Sequence, residues 1–123
     1  MAKILIADDE FLNRDILKAQ IEAIGTKGPY EFEEVQNGED ALRVVNIAED
    51  LAVAVLDNDM PIRDGCEVAR ELKKEQPGLP VVIYTSNAKA YDTLKRENIP
   101  VFRKPDDRWG LVKWIDSNIP SSH

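Results

Sequence analysis

The chain has 123 residues, a formal net charge of −7 and one cysteine, Cys66. This length predicts a single domain, and the negative charge disfavours a nucleic-acid surface as its main role. A lone cysteine excludes an internal disulfide and fits a reducing compartment, and the first apolar run, Ile4–Ala7, is too short for a signal peptide or a membrane span. We therefore expect one cytoplasmic domain over residues 1–123, with no membrane insertion and no separate output domain.

Ten predicted elements alternate between strand and helix along the chain. Continuous apolar runs predict strands that are buried on both faces, whereas Glu31–Val35 alternates in polarity and predicts an edge strand. In chain order the strands are Ile4–Ala7, Glu31–Val35, Val53–Leu56, Val81–Tyr84 and Pro100–Phe102. The helices that follow them are Phe11–Ile24, Glu39–Ala48, Gly65–Glu75, Ala88–Glu97 and Asp106–Ile119. This alternation predicts an α/β fold, a doubly wound parallel sheet with helices on both faces.

Apolar residues three and four positions apart predict which face of each helix packs on the sheet. In the first helix this spacing selects Leu12, Ile16, Ala19 and Ala23. In the last helix it selects Leu111, Val112, Ile115 and Ile119.

Polar side chains follow four of the predicted strands. Asp8 and Asp9 follow the first strand, Asp57 the third, Thr85 the fourth and Lys104 the fifth. Because parallel strands end at the same edge of a sheet, these side chains should converge where α/β proteins bind their ligands. A single polar residue at such a position is usually just solvated, but four strand ends together indicate a site.

Three carboxylates at one edge would repel one another, so at least one should have a raised pKa unless a cation is present. A divalent cation relieves this repulsion, and a ligand set made only of oxygen atoms suits Mg²⁺ or Mn²⁺. An ammonium group and a hydroxyl beside such a metal are suited to placing a phosphoryl group on a carboxylate.

The sequence resembles the CheY-like receiver domains of response regulators over essentially its whole length. The resemblance is carried by Asp8-Asp9-Glu10 after the first strand, Leu56-Asp57-Asn-Asp-Met60-Pro61 with Asp64-Gly65, Tyr84-Thr85-Ser86, and Lys104-Pro105. It implies five parallel strands in the order 2-1-3-4-5 and a cis bond between Lys104 and Pro105. It also implies a signalling domain rather than an enzyme.

The resemblance assigns a role to each site residue. Asp57 would accept a phosphoryl group from a sensor histidine kinase or a phosphotransfer protein, and Thr85 and Lys104 would hold the phosphoryl oxygens. Asp9, Asp57 and the backbone carbonyl of Asp59 would bind Mg²⁺, while Asp8 would hold metal-bound water. The signal would be a shift between two conformers, read by a downstream protein.

The expected output surface departs from the family pattern. Val101 stands where the family usually has an aromatic switch residue, and Phe102 next to it points to the opposite face of the strand. The segment between Thr85 and Lys104 is shorter than usual, and Asp106 replaces a common phenylalanine. We therefore expect an atypical output through the fourth helix, fifth strand and fifth helix, where Trp109 could anchor a partner.

Two other functions fit part of the pattern. Asp57-Asn-Asp59 mimics the nucleophile motif of haloacid-dehalogenase-type phosphatases, although the acidic pair expected downstream in that class lies upstream here. A phosphorylation-independent interaction module with the same fold is the other alternative. The joint presence of Asp9, Asp57, Thr85 and Lys104 speaks against it, because a fold alone does not require them.

Overall fold

The computed structural model describes residues 1–120, in which five strands alternate with five helices. The strands are β1 (Ala2–Ala7), β2 (Tyr30–Val35), β3 (Leu51–Leu56), β4 (Val81–Thr85) and β5 (Val101–Arg103). The helices are α1 (Phe11–Ile24), α2 (Gly38–Ile47), α3 (Gly65–Glu75), α4 (Ala88–Arg96) and α5 (Arg108–Ser117). The sheet is parallel with the order β2-β1-β3-β4-β5, which confirms the predicted fold.

The two faces of the sheet carry two separate apolar cores. Residues of α2, α3 and α4 pack on one face, and residues of α1 and α5 pack on the other. The central strands β1 and β3 are buried over their last four residues, whereas β2 has only half-buried and exposed residues, as suits an edge strand. No helix in residues 1–120 has both the length and the apolar character that a membrane span requires.

The predicted packing face of α1 is wrong. Leu12 and Ile16 are 64% and 47% exposed, and the buried residues of this helix are Arg14, Leu17 and Ile21. Arg14 is buried because its guanidinium is paired with Glu34 and hydrogen-bonded to the carbonyl of Asp8. The prediction failed because the buried face of α1 contains the charged residue Arg14, whereas the exposed face contains the apolar residues Leu12 and Ile16.

Helix α5 is shorter than predicted. It begins at Arg108 and ends at Ser117, so Asp106 and Asp107 lie in the turn that precedes it. Its buried face is as predicted, because Leu111, Val112 and Ile115 pack into the core and Ile119 follows them just beyond the helix.

Candidate functional site

Three carboxylates meet at the carboxyl edge of the central strands. Asp8 and Asp9 follow β1, and Asp57 follows β3, which pairs in parallel with β1 through Ala7 and Leu56. One carboxylate oxygen from each of Asp8, Asp9 and Asp57 lies within 4.8 Å of the others. Asp8 is buried, Asp57 is half-buried and Asp9 is exposed, so the cluster is open to solvent on the side of Asp9.

Lys104 brings a positive charge into this cluster. Its Nζ donates a hydrogen bond to Asp8 Oδ2 at 2.8 Å and lies 3.6 Å from Asp57 Oδ2. The same Nζ lies 5.6 Å from the centre of the Tyr84 ring, whose face attracts cations. The peptide bond from Lys104 to Pro105 is cis, as expected from the family resemblance.

Asp57 has a pKa of about 6, well above its ordinary value of 3.8. Burial is the main cause, because it disfavours the charged form. Lys104 lowers the pKa, while repulsion from Asp8 raises it by a smaller amount. Asp57 is therefore a carboxyl with a raised pKa, as expected. Burial contributes more to the rise in its pKa than the predicted repulsion between carboxylates does.

The loop after β3 fixes the position of Asp57. The backbone N–H of Asn58 donates to Asp57 Oδ1 at 2.8 Å, and the Asn58 carbonyl accepts from the N–H of Gly65 at 2.9 Å. A Cβ atom at Gly65 would lie 2.3 Å from the Asp57 carbonyl oxygen, so only glycine allows α3 to begin this close to the strand end. The loop therefore holds Asp57 Oδ1 and leaves Oδ2 facing Lys104.

Thr85 and Asp59 are joined through Asn87, a residue that the sequence analysis did not single out. The buried Thr85 hydroxyl accepts a hydrogen bond from the backbone N–H of Asn87 at 3.1 Å. The Asn87 side chain donates to Asp59 Oδ1 at 3.1 Å, and its Oδ1 caps α4 at the N–H of Ala90. Its position just before a predicted helix was the available signal for this capping role.

Arg14 is a second residue that sequence reasoning missed. Its Nη1 donates to the backbone carbonyl of Asp8 at 2.6 Å, and its Nε donates to Glu34 at 3.1 Å. Hydrogen bonds from Lys18 and Arg14 lower the pKa of Glu34, which keeps that carboxylate charged as a partner. Arg14 thus holds the end of β1, from which Asp8 and Asp9 project.

The predicted output residues divide between the two faces of the sheet. Val101 belongs to the core beneath α4, and Phe102 packs against the core beneath α5, as predicted. Arg103 pairs in register with Thr85, and its guanidinium stacks 5.5 Å from the centre of the Tyr91 ring on α4. Trp109 is 62% exposed on α5.

The oxygen atoms of Asp8, Asp9 and Asp57 could hold a metal ion. All three donors are carboxylates, which suits a hard divalent cation rather than a softer metal. Within residues 1–120, no donor is hydrogen-bonded to the backbone carbonyl of Asp59, so that oxygen is free to act as a further ligand. The donor set therefore fits the predicted ion.

A family model for the response regulator receiver domain matches residues 4–113. The chain belongs to this family. It is a receiver domain of two-component signalling systems, and this membership favours the receiver interpretation of the carboxylates over the phosphatase alternative.

Known proteins support this membership. The receiver is 36% identical over 92 residues to the sensor protein EvgS of Escherichia coli. The aligned residues cover 75% of the chain and 7% of EvgS. It is 40% identical over 88 residues to a protein-glutamate methylesterase/protein-glutamine glutaminase of Treponema denticola, covering 71% of the chain and 23% of that protein. The chain thus spans less than a quarter of the length of these relatives.

Solved structures agree with the fold. Response regulator TrrA from Thermotoga maritima, in complex with Mg²⁺-BeF, superposes with a TM-score of 0.83 at 25% identity, covering 97% of this receiver and all of TrrA. A receiver domain protein from Clostridium thermocellum gives a TM-score of 0.79 at 26% identity, with 97% and 94% of the two chains covered.

Proposed function

We propose that Asp57 of this receiver accepts a phosphoryl group and that the modified domain acts as a conformational switch. The observation that carries the proposal is the position of Lys104 Nζ, 2.8 Å from Asp8 and 3.6 Å from Asp57, beside a cluster of three carboxylates. A fold does not need a half-buried cation beside three acids at one sheet edge. A phosphoryl acceptor does, because charge develops there during transfer.

Asp57 is the nucleophile in this proposal. With a pKa of about 6 it is ionised at neutral pH, so it can attack phosphorus. A bond forms between a carboxylate oxygen and phosphorus while the bond between phosphorus and the donor histidine breaks, and the departing imidazole takes that electron pair. The Lys104 ammonium and the Thr85 hydroxyl donate hydrogen bonds to the phosphoryl oxygens.

The metal in this proposal is Mg²⁺, with Mn²⁺ as a substitute. Asp9, Asp57 and the Asp59 carbonyl would hold it directly, and Asp8 would orient its water. When bound, the ion neutralises charge on the transferred phosphoryl oxygens. The Mg²⁺-BeF complex of TrrA, a protein with the same fold, supports this choice.

The proposed phosphodonor is a sensor histidine kinase or a phosphotransfer protein, and the proposed location is the cytoplasm. The exposed apolar side chains of Phe11, Leu12 and Ile16 lie on α1 just after Asp8 and Asp9. An apolar surface beside the acceptor gives a donor protein a place to dock. Residues 1–123 act here as one signalling domain and not as an enzyme, and the modified form is read by a downstream protein.

The test is phosphorylation by acetyl phosphate, followed by intact-protein mass spectrometry. We expect a mass gain of one phosphate in the presence of Mg²⁺, no gain with a chelator, and none in Asp57→Ala. Asp92→Ala, a change on the exposed side of α4, serves as the control and should be modified normally.

A metal-independent gain, or a gain that persists in Asp57→Ala, contradicts the proposal. Absence of modification under all conditions favours the phosphorylation-independent module. Continuous turnover of a generic phosphomonoester favours the phosphatase.

A further inference from the structure

Asp8 forms a hydrogen bond through each of its four polar atoms. Its backbone N–H donates to the carbonyl of Val35 at 3.1 Å, and its Oδ1 accepts from the N–H of Glu10 at 3.0 Å. Its Oδ2 accepts from Lys104 Nζ at 2.8 Å, and its carbonyl oxygen accepts from Arg14 Nη1 at 2.6 Å. Asp8 is therefore fixed by groups in β2, in and just before α1, and after β5.

Asp9 depends on this arrangement for its position. It is exposed, and its carboxylate forms no ion pair within residues 1–120. The peptide unit between Asp8 and Asp9 is planar, so a hydrogen bond to the Asp8 carbonyl also fixes the orientation of the Asp9 N–H. In the described part of the chain, Arg14 is the one hydrogen-bond donor to that carbonyl. The direction in which Asp9 leaves the strand is therefore set by Arg14.

The guanidinium of Arg14 is itself held in one orientation. Arg14 is only 7% exposed, and its Nε donates to Glu34 Oε1 at 3.1 Å. The ring of Phe11 covers the group, with its centre 5.7 Å from the guanidinium carbon. Two donors of one rigid, planar fork are thus in use at once, on Glu34 and on Asp8. A lysine has no such fork, because its ammonium is a compact point charge on a flexible stem.

A contribution to stability alone does not account for this buried cation. A buried ion pair adds little net stability, because the cost of desolvation offsets the attraction. Glu34 also accepts a hydrogen bond from Lys18 at 2.9 Å, so its charge is paired without Arg14. A cation bonded to Asp8 repels a metal ion at the same site. The arrangement therefore favours metal binding only through the position that it gives to the ligands.

We propose that Arg14 is a positioning residue for the Mg²⁺ site, and that its hydrogen bond to the Asp8 carbonyl holds Asp8 and Asp9 in the orientation that binds the ion. The inference rests on the proposed function, because it takes Asp9 as a metal ligand and Asp8 as the residue that orients metal-bound water. Arg14 acts through these two aspartates and not on the ion. Glu34 and Phe11 hold its guanidinium in place for this role.

Titration with MgCl₂ at constant ionic strength tests the proposal, with binding followed by the NMR shifts of the amides of residues 8, 9 and 57–59. We expect Arg14→Met to weaken Mg²⁺ binding by about tenfold, the low end of the range for groups that orient metal ligands. Removal of a positive charge beside three carboxylates should by itself strengthen the binding of a cation. The sign of the change therefore distinguishes a positioning role from an electrostatic one.

Three further variants separate position from charge and from stability. Arg14→Lys keeps the charge but loses the fork, so it should weaken Mg²⁺ binding by about two- to fivefold, the equivalent of one net hydrogen bond. Lys18→Met is the matched control, because Lys18 pairs with the same Glu34 but does not contact Asp8, and it should bind Mg²⁺ at least as tightly as the parent. Tyr30→Phe controls for lost stability at the opposite end of β2 and should leave the affinity unchanged.

Three results would overturn the proposal. They are an affinity of Arg14→Met that is higher than that of the parent or within about twofold of it, an equal loss in Lys18→Met or Tyr30→Phe, and absence of Mg²⁺ binding by the parent protein. If Arg14→Met does not fold, Arg14→Lys decides, and an unchanged affinity in that variant overturns the proposal. The titration contains no phosphodonor, so a failure of phosphoryl transfer is measured separately by mass spectrometry.

Discussion

Lys104 and Asp8 are joined across the sheet edge by a hydrogen bond of 2.8 Å, although 96 positions separate them in the chain. The ammonium group is thus held inside the acidic site before any phosphoryl group arrives, and its Nζ already lies 3.6 Å from Asp57. A cation that needs no reorganisation stabilises developing charge more effectively than one recruited during the reaction.

We expect Lys104→Ala to slow phosphorylation of Asp57 by about 10²-fold, because one preorganised charge donor is lost. The measurement is the rate of mass gain with acetyl phosphate and Mg²⁺, together with the circular dichroism spectrum, which should remain native. Lys113→Ala, on the exposed side of α5, is the control. An unchanged rate in Lys104→Ala would refute the assigned role of this lysine.

The raised pKa of Asp57 predicts a pH dependence of stability. The folded state binds this proton with a pKa of about 6, against an ordinary value of 3.8. Between these values the folded state holds more protons than the unfolded state, so this group reduces stability as pH rises through the window. The loss of stability caused by Asp57 is complete above a pH of about 6 and absent below a pH of 3.8, where the carboxyl is protonated in both states.

Asp57→Asn should therefore be more stable than the parent protein at neutral pH. We expect a gain of about 1–2 kcal/mol in the free energy of unfolding, after allowing for partial solvent access to the site. Urea denaturation with a chelator present measures it, and the gain should vanish towards acidic pH. Asp64→Asn, which removes a nearby charge but keeps an N-capping side chain, should show no such pH-dependent gain.

Much of the fold was predictable because its strongest signals are local. Apolar runs identified four of the strands, the alternating polarity of Glu31–Val35 identified β2, and the bounds of α1 and α3 are as predicted. The start of α5 was predicted two residues early, because Asp106 and Asp107 suit the first turn of a helix and also suit the turn before one.

The site was predictable for a different reason. Parallel strands bring their ends to one edge, so Asp8, Asp57 and Lys104 could be placed together without knowing any distance. Arg14 and Asn87 could not be found in this way, because each acts through hydrogen bonds to residues distant in sequence or to backbone atoms. Sequence spacing also could not show that Arg14, and not Leu12, faces the core.

A polar clamp between α5 and the start of β2 should contribute measurably to stability. The Tyr30 hydroxyl donates to Asp116 Oδ1 at 2.7 Å and accepts from the N–H of Lys27 at 3.0 Å. Burial and the bond to Asp116 raise the pKa of Tyr30 to about 12. We expect Tyr30→Phe to lower the free energy of unfolding by about 1–2 kcal/mol, because both partners lose a hydrogen bond.

Chemical denaturation measures this effect. Tyr91→Phe is the matched control, because no hydrogen bond involves the Tyr91 hydroxyl within residues 1–120, and it should change stability by less than about 0.5 kcal/mol. Similar losses in the two variants would mean that the clamp contributes nothing specific. The double variant Tyr30→Phe, Asp116→Asn should lose less than the sum of its two single variants, because the residues share one bond.

The last prediction concerns α4. Its buried residues are only Ala90 and Leu94, and its remaining packing includes the stack of Tyr91 against Arg103. Val101 offers no ring to fill space if Thr85 moves, but Arg103 is the strand neighbour of Thr85 and contacts Tyr91 directly. A shift of Thr85 towards a phosphoryl group should therefore disturb the Arg103–Tyr91 stack and, through it, the helix.

Hydrogen exchange on the free and the Mg²⁺-beryllofluoride-bound protein tests this coupling. We expect the amides of residues 87–98 to be the least protected among the helices, because few buried contacts oppose their opening, and to change most on binding. Helix α5, with Leu111, Val112 and Ile115 buried, is the internal reference. If α4 is as protected as α5 in both states, the downstream protein must bind another surface of the receiver. The exposed face of α1 and the surface around Trp109 are then the candidate binding surfaces.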